Sequence, residues 1–93
     1  MTISKLNIQI TVFGRVHGVG YRYSALHRAR ELSITGFVKN QYDGTVFIEA
    51  EGQEENLDQF MLWCQQGPSF ARVEKLSKTI GTLKGYSSFS VKP

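Results

Sequence analysis

The sequence predicts an α+β sandwich: elements in the order β-α-β-β-α-β, with a mainly antiparallel sheet of four to five strands and two helices on one face. Three observations carry this prediction. The hydrophobic period switches from two to about 3.6 and back again along the chain. Asp43-Gly44 stands between two stretches of β-formers, where a Gly at positive φ closes a tight hairpin. The 93 residues, 41% of them hydrophobic, suffice for one core and not for a second, so residues 1–93 are read as a single domain.

Leu6, Ile8, Ile10 and Val12 alternate with Asn7, Gln9 and Thr11, which describes a half-buried strand. Gly14, Gly18 and Gly20 then punctuate a loop. From about Tyr21 to Leu32 the period becomes helical, with Ala25, Leu26, Ala29 and Leu32 on one stripe. Ile34 to Asn40 reads as extended, and Val46, Ile48 and Ala50 form the second arm of the hairpin. Glu54 and Glu55 open a second helix, where the helix dipole favours negative charge. Leu57, Phe60, Met61 and Cys64 give it a buried stripe at i, i+3, i+4 and i+7. Gly67-Pro68 stops it, because Gly accepts the left-handed cap and Pro cannot continue a helix. A less regular strand is expected around Ala71 to Thr79, Lys84-Gly85-Tyr86 is loop, and Phe89 to Lys92 forms a short terminal strand. Each helix can bury only one stripe, so both lie on one face of the sheet. This is the ferredoxin-like split βαβ arrangement, which hosts enzymes, RNA binders and regulatory domains, so function must be read from a site.

Eleven Lys and Arg against eight Asp and Glu leave a net charge of +3, which suits an anionic ligand without announcing a nucleic-acid binder. Cys64 is the only cysteine, which excludes an intramolecular disulfide and a cysteine-based zinc site. The longest apolar run, Phe60 to Cys64, is five residues, too short to span a membrane. The N-terminus has no continuous apolar stretch of the kind a signal peptide needs. A cytoplasmic protein is expected.

The segment Gly14-Arg15-Val16-His17-Gly18-Val19-Gly20-Tyr21-Arg22 joins a strand to a helix N-terminus. Such a junction leaves backbone N–H groups unpaired at the positive end of the helix dipole, and its glycines let a ligand approach the backbone. Together these features describe a phosphate cradle. No Gly-Lys-Ser/Thr follows, so it is not a Walker loop, and Tyr23 stands where a dinucleotide fingerprint needs its third glycine. Arg22 heads the apolar stripe of the helix and opposes its dipole. A bound anion would remove both costs, and the guanidinium fork suits phosphate oxygens; the alternative is that Arg22 snorkels to solvent or pairs with a carboxylate. Asn40 ends a strand before the turn, and taken alone it reads as a turn residue.

The two segments together resemble acylphosphatase. The first is similar to the family pattern Gly-x-Val-Gln-Gly-Val-x-Phe-Arg. The second, Gly36-Phe37-Val38-Lys39-Asn40-Gln41-Tyr42-Asp43-Gly44-Thr45-Val46, is similar to Gly-aromatic-Val-x-Asn-x-x-x-Gly-x-Val, and Gly67-Pro68 followed by Ala71 and Val73 is similar to a later Gly-Pro stretch. His17 stands where the family usually has Gln, and Tyr21 where it usually has Phe.

The resemblance implies hydrolysis of acyl phosphates to a carboxylate and inorganic phosphate. It implies that Arg22 binds the phosphoryl group with amides of the loop Arg15, Val16, His17, Gly18, Val19, Gly20, Tyr21 and Arg22. It implies that Asn40 orients the attacking water, with Arg22 and Asn40 as the catalytic pair. Phosphoryl transfer is mainly positioning and charge stabilisation, and a carboxylate leaves readily, so no metal and no cofactor are required. Inorganic phosphate is expected as product and competitive inhibitor. A monomer without a nucleic-acid or membrane partner completes the expectation.

Other residues receive plainer readings. His17 is expected to point to solvent, and Cys64 to pack in the core. His27, Arg28 and Arg30 are read as a solvated face, and pairing His17 with His27 as metal ligands has no support. Phe47, Glu49 and Glu51 form the outer face of their strand, and the orientation of Phe37 and Phe47 is open. The main rival is an RNA-recognition domain stacking bases on Phe37 and Phe47, but its ribonucleoprotein motif is missing and Glu49 and Glu51 would repel phosphates. A non-catalytic anion- or metabolite-binding module is a further reading. Similar domains also occur at the N-terminus of hydrogenase-maturation proteins, and a stand-alone protein is the expectation here.

Overall fold

The computed structural model describes residues 4–93; residues 1–3 of the expected domain lie outside the described residues. The elements are β1 (Lys5–Arg15), α1 (Tyr21–Glu31), β2 (Thr35–Asn40), β3 (Val46–Gln53), α2 (Glu54–Gln66), β4 (Arg72–Gly81) and β5 (Phe89–Val91). Several strands differ from expectation at their ends: β1 runs on through Gly14 and Arg15, expected in the loop, because both pair with β4, and the last two strands differ by a residue or two. β4 runs on to Gly81 because it pairs with β1 as far as Asn7↔Gly81. β5 ends at Val91, its last pairing with β2.

The strands lie in the order β4-β1-β3-β2-β5. β1 is antiparallel to both β3 and β4, and β2 is antiparallel to β3. Only β5 is parallel to its neighbour, β2. Each helix therefore carries the chain past an intervening strand, α1 over β3 and α2 over β1, which is the split crossover. Ile8, Ile10, Val12, Val38, Val46, Ile48 and Ala50 point to one face and meet Ala25 and Ala29 of α1 and Leu57, Phe60 and Cys64 of α2 in one core.

Tyr21 explains itself in this packing. Its ring is buried 5.3 Å from the Trp63 ring, and its hydroxyl donates to the Cys64 carbonyl at 2.8 Å. Carbonyls near a helix C-terminus lack intrahelical partners, so a phenol here does what a Phe cannot. Burial pushes both the Tyr21 hydroxyl and the Cys64 thiol up in pKa, the latter to about 12, so both groups remain neutral.

The opposite face of the sheet is covered in part. The segment between β4 and β5 runs across it, and Glu49 and Glu51 beneath are only 5% and 3% exposed. They lie on the outer face as expected, but inside a polar network rather than in water. Asn7 Nδ2 donates to both carboxylates at 2.8 Å, and Lys84 Nζ donates to Glu49 at 2.5 Å. The orientation left open for Phe37 is settled: its ring is buried between Phe47 at 5.9 Å and Tyr86 at 6.0 Å, with Lys92 Nζ 4.0 Å above it.

Candidate active site

The loop after β1 is shaped by a bulge. The register with β4 shifts between Phe13 and Gly14. Gly14 has φ +129°, and a Cβ there would fall against the Arg72 carbonyl oxygen, well inside contact distance. Only glycine lets β1 and β4 stay paired while the chain turns towards α1. The Val16 side chain is buried and pins the loop to the core, while Val19 packs partly against it. Gly20 is the N-cap of α1 at φ 79°, and no side chain among the described residues caps the helix. No acidic residue occupies the first turn. The first backbone N–H groups of α1 and the positive end of its dipole are thus left to a ligand.

Arg22 stands in that first turn, half-buried. Its Nη1 donates to the backbone carbonyl of Lys92 at 2.9 Å. No carboxylate pairs with it among the described residues. The carbonyl aims the guanidinium without neutralising it, and the rest of the fork stays available for an anion.

Asn40 ends β2, and its Oδ1 is buried without any hydrogen-bond donor from the described residues. Such an orphan acceptor is uncommon and costs about 1–3 kcal/mol. Asn40 and Arg22 line one recess of about 170 Å³, floored by Val16, Gly18, Gly20 and Tyr21 and edged by Tyr23. The recess therefore joins a cation, an uncapped helix start, a glycine backbone at positive φ and an unpaired carbonyl oxygen. A larger hollow of about 410 Å³ lies at Arg28, Gln59, Leu62, Trp63 and Gln66. Its one cation already pairs with Glu31 at 3.1 Å, and it offers no helix start.

The remaining loop residues divide. The side chains of Val16 and Tyr21 belong to the core, so they offer a ligand backbone alone. Arg15 is exposed at the end of β1 and does not line the recess. His17 is exposed, but its ring is tethered rather than free: Nε2 lies 2.8 Å from the Thr45 carbonyl, which accepts its N–H. The reason is the hairpin between β2 and β3. Asp43 accepts from Thr45 N at 3.0 Å and from Thr45 Oγ1, presenting the Thr45 carbonyl region to the loop. Those Thr45 bonds also hold the Asp43 carboxyl below its ordinary pKa. His17 thus fastens the loop to the hairpin that begins at Asn40. Lys92 and Thr45 have no signal in the sequence, because both act through backbone carbonyls at separations of 70 and 28 residues.

Comparison with known proteins places these features in a family. The family model described as Acylphosphatase matches residues 8–91. An acylphosphatase of Methylococcus capsulatus is 48% identical over 85 residues, covering 90% of this chain and 92% of the relative. One from Nocardioides sp. is 41% identical over 85 residues, covering 91% and 86%. The crystal structure of acylphosphatase from Bacillus subtilis superposes with a TM-score of 0.92 at 39% identity, covering 95% of this chain and 99% of that one. With its glycine loop, Arg22 and Asn40 gathered at one recess and the match running through nearly the whole fold, the chain belongs to the acylphosphatase family.

Proposed function

We infer that the chain hydrolyses the carboxyl–phosphate bond of acyl phosphates at the recess between α1 and β2. Arg22 and the backbone N–H groups of residues 16–22 hold the phosphoryl oxygens. Asn40 Oδ1 accepts a hydrogen bond from a water and sets its oxygen in line with phosphorus. The water oxygen bonds to phosphorus as the bond from phosphorus to the acyl oxygen breaks. The carboxylate leaves as a weak base, and the water proton passes to a phosphate oxygen. Charge on the equatorial oxygens meets fixed donors that need no reorganisation. An amide cannot act as a general base, but a step of this kind requires only placement.

The observation that carries this reading is the orphaned Oδ1 of Asn40 in the same recess as the Arg22 guanidinium, which has no carboxylate partner among the described residues. A fold without a substrate gains nothing from burying an unpaired acceptor beside a cation that has no carboxylate partner. The reading includes a reaction without metal or cofactor, inorganic phosphate as competitive inhibitor, a single-domain monomer and a cytoplasmic site of action. A base-stacking RNA platform is disfavoured, because Phe37 is buried and Glu49 and Glu51 are already spent on Asn7 and the segment above them.

Hydrolysis of benzoyl phosphate in excess EDTA tests it, with Arg22→Ala and Asn40→Ala alongside. Metal-independent turnover lost in both variants, with phosphate inhibition weakened only in Arg22→Ala, is the expected result. A folded wild type without turnover refutes it and leaves an anion-binding module.

A further inference from the structure

The sheet face away from the helices carries a carboxylate that the reaction does not use. In every hydrogen bond that Glu51 makes among the described residues its carboxylate is the acceptor. Asn7 Nδ2 reaches Oε2 at 2.8 Å and Lys84 N reaches it at 2.6 Å. Gly85 N and Tyr86 N reach Oε1 at 3.1 and 3.2 Å. Four N–H donors on two oxygens suit only an ionised carboxylate, since an amide would turn its NH2 group towards two donors. Burial raises the Glu51 pKa, but the bonds from Asn7 and the three amides outweigh it and hold the group below its ordinary value.

These bonds fasten the segment that leads into β5. Ser88 O accepts from Gly36 N at 2.9 Å, Phe89 to Val91 pair with β2, and Lys92 N donates to Val38 O at 2.8 Å. The next contact is the Lys92 carbonyl on Arg22. β5 has three residues and a single strand neighbour, so its ladder alone is a weak guide. Phe89, its ring 6.0 Å from that of Phe60, holds the strand to the core. The Glu51 bonds hold the stretch that delivers it.

We propose that Glu51 is a positioning residue for the phosphoryl group: by clamping residues 84–86 to the sheet it sets the course of β5, and through the Lys92 carbonyl it aims the Arg22 guanidinium. This rests on Arg22 being the phosphate ligand, as inferred above. Glu51 touches no substrate and acts only through the chain between.

The test is a double-mutant cycle on the full chain, read as the affinity for inorganic phosphate by titration calorimetry. Glu51→Gln weakens phosphate binding about five-fold in the wild-type background. In the Arg22→Ala background the same substitution changes it by less than about twofold, because the side chain it aims is gone. Loss of thermal stability from Glu51→Gln is similar in both backgrounds, which separates aiming from general loosening. Should Glu51→Gln fail to fold, Glu51→Asp keeps the charge but withdraws it, and the same disappearance of its effect in Arg22→Ala is expected. Unchanged phosphate binding in Glu51→Gln, or an equal loss in both backgrounds, overturns the proposal alone. An Arg22→Ala chain that binds phosphate like wild type overturns the reading of Arg22 and the proposal with it.

Discussion

Replacing Asn40 by Ala should make the protein more stable while disabling it. Most buried asparagines are anchored, and truncating them leaves a partner group unpaired. Asn40 differs, because its Oδ1 is buried and accepts no hydrogen bond from the described residues. An acceptor in that state costs about 1–3 kcal/mol. Loss of the side chain's packing offsets part of the gain, and a net stabilisation of about 1 kcal/mol remains. In a domain of this size that raises Tm by about 4–8 °C. Turnover should fall about 10²-fold or more, as expected when the nucleophile loses its placement. The inhibition constant for phosphate should change by less than about twofold, since Arg22 and the loop remain. Differential scanning calorimetry of the phosphate-free protein, with steady-state kinetics on benzoyl phosphate, reads all three. A Tm that falls would show that Asn40 supports the fold. A phosphate affinity that drops along with turnover would show that it binds rather than positions.

Gly14→Ala drives a Cβ into the Arg72 carbonyl at a positive φ, so β1 and β4 must part locally; a loss of about 2–3 kcal/mol in urea unfolding is expected. His17→Ala removes the N–H held by Thr45 and should raise the phosphate inhibition constant several-fold, whereas His17→Gln, which keeps a donor, should restore most of it; equal values in the two variants would dismiss the tether. Glu49 and Glu51 both titrate below their ordinary value of 4.5, so the stability they lend is complete above that pH and is lost as pH falls through their folded values. Tm followed from pH 7 into acid should therefore fall for wild type, and fall less steeply for Glu51→Gln.

The fold was legible because it is written in period and punctuation. Ile8, Ile10 and Val12 alternate, Leu57, Phe60 and Cys64 recur helically, and Gly67-Pro68 breaks the second helix where the chain does turn. The placement of Arg22 and the glycine loop at an uncapped helix start was legible because three glycines stand between a strand pattern and a helix pattern. Asn40 was legible only through the family resemblance, because taken alone it reads as a turn residue, and its buried Oδ1 without a donor shows only in the structure. The Glu51 network was hidden more deeply. Its side chain obeys the alternation of an exposed strand, and only the crossing of residues 84–86, more than thirty positions later, turns that exposed face into a buried one.

The sheet order bears on how the molecule assembles in time. The first strand in sequence lies inside the sheet and must wait for β4, so that Asn7 meets Gly81. Closing such long loops is slow, and folding on the millisecond-to-second scale is to be expected. The contact between Arg22 and Lys92, 70 residues apart, depends on β5, which can dock only once β2 has a place in the sheet. The recess at Arg22 should accordingly be among the last features to form. A ligand that needs it finds little to grip in the folding transition state, so phosphate should slow unfolding and leave the refolding rate nearly untouched.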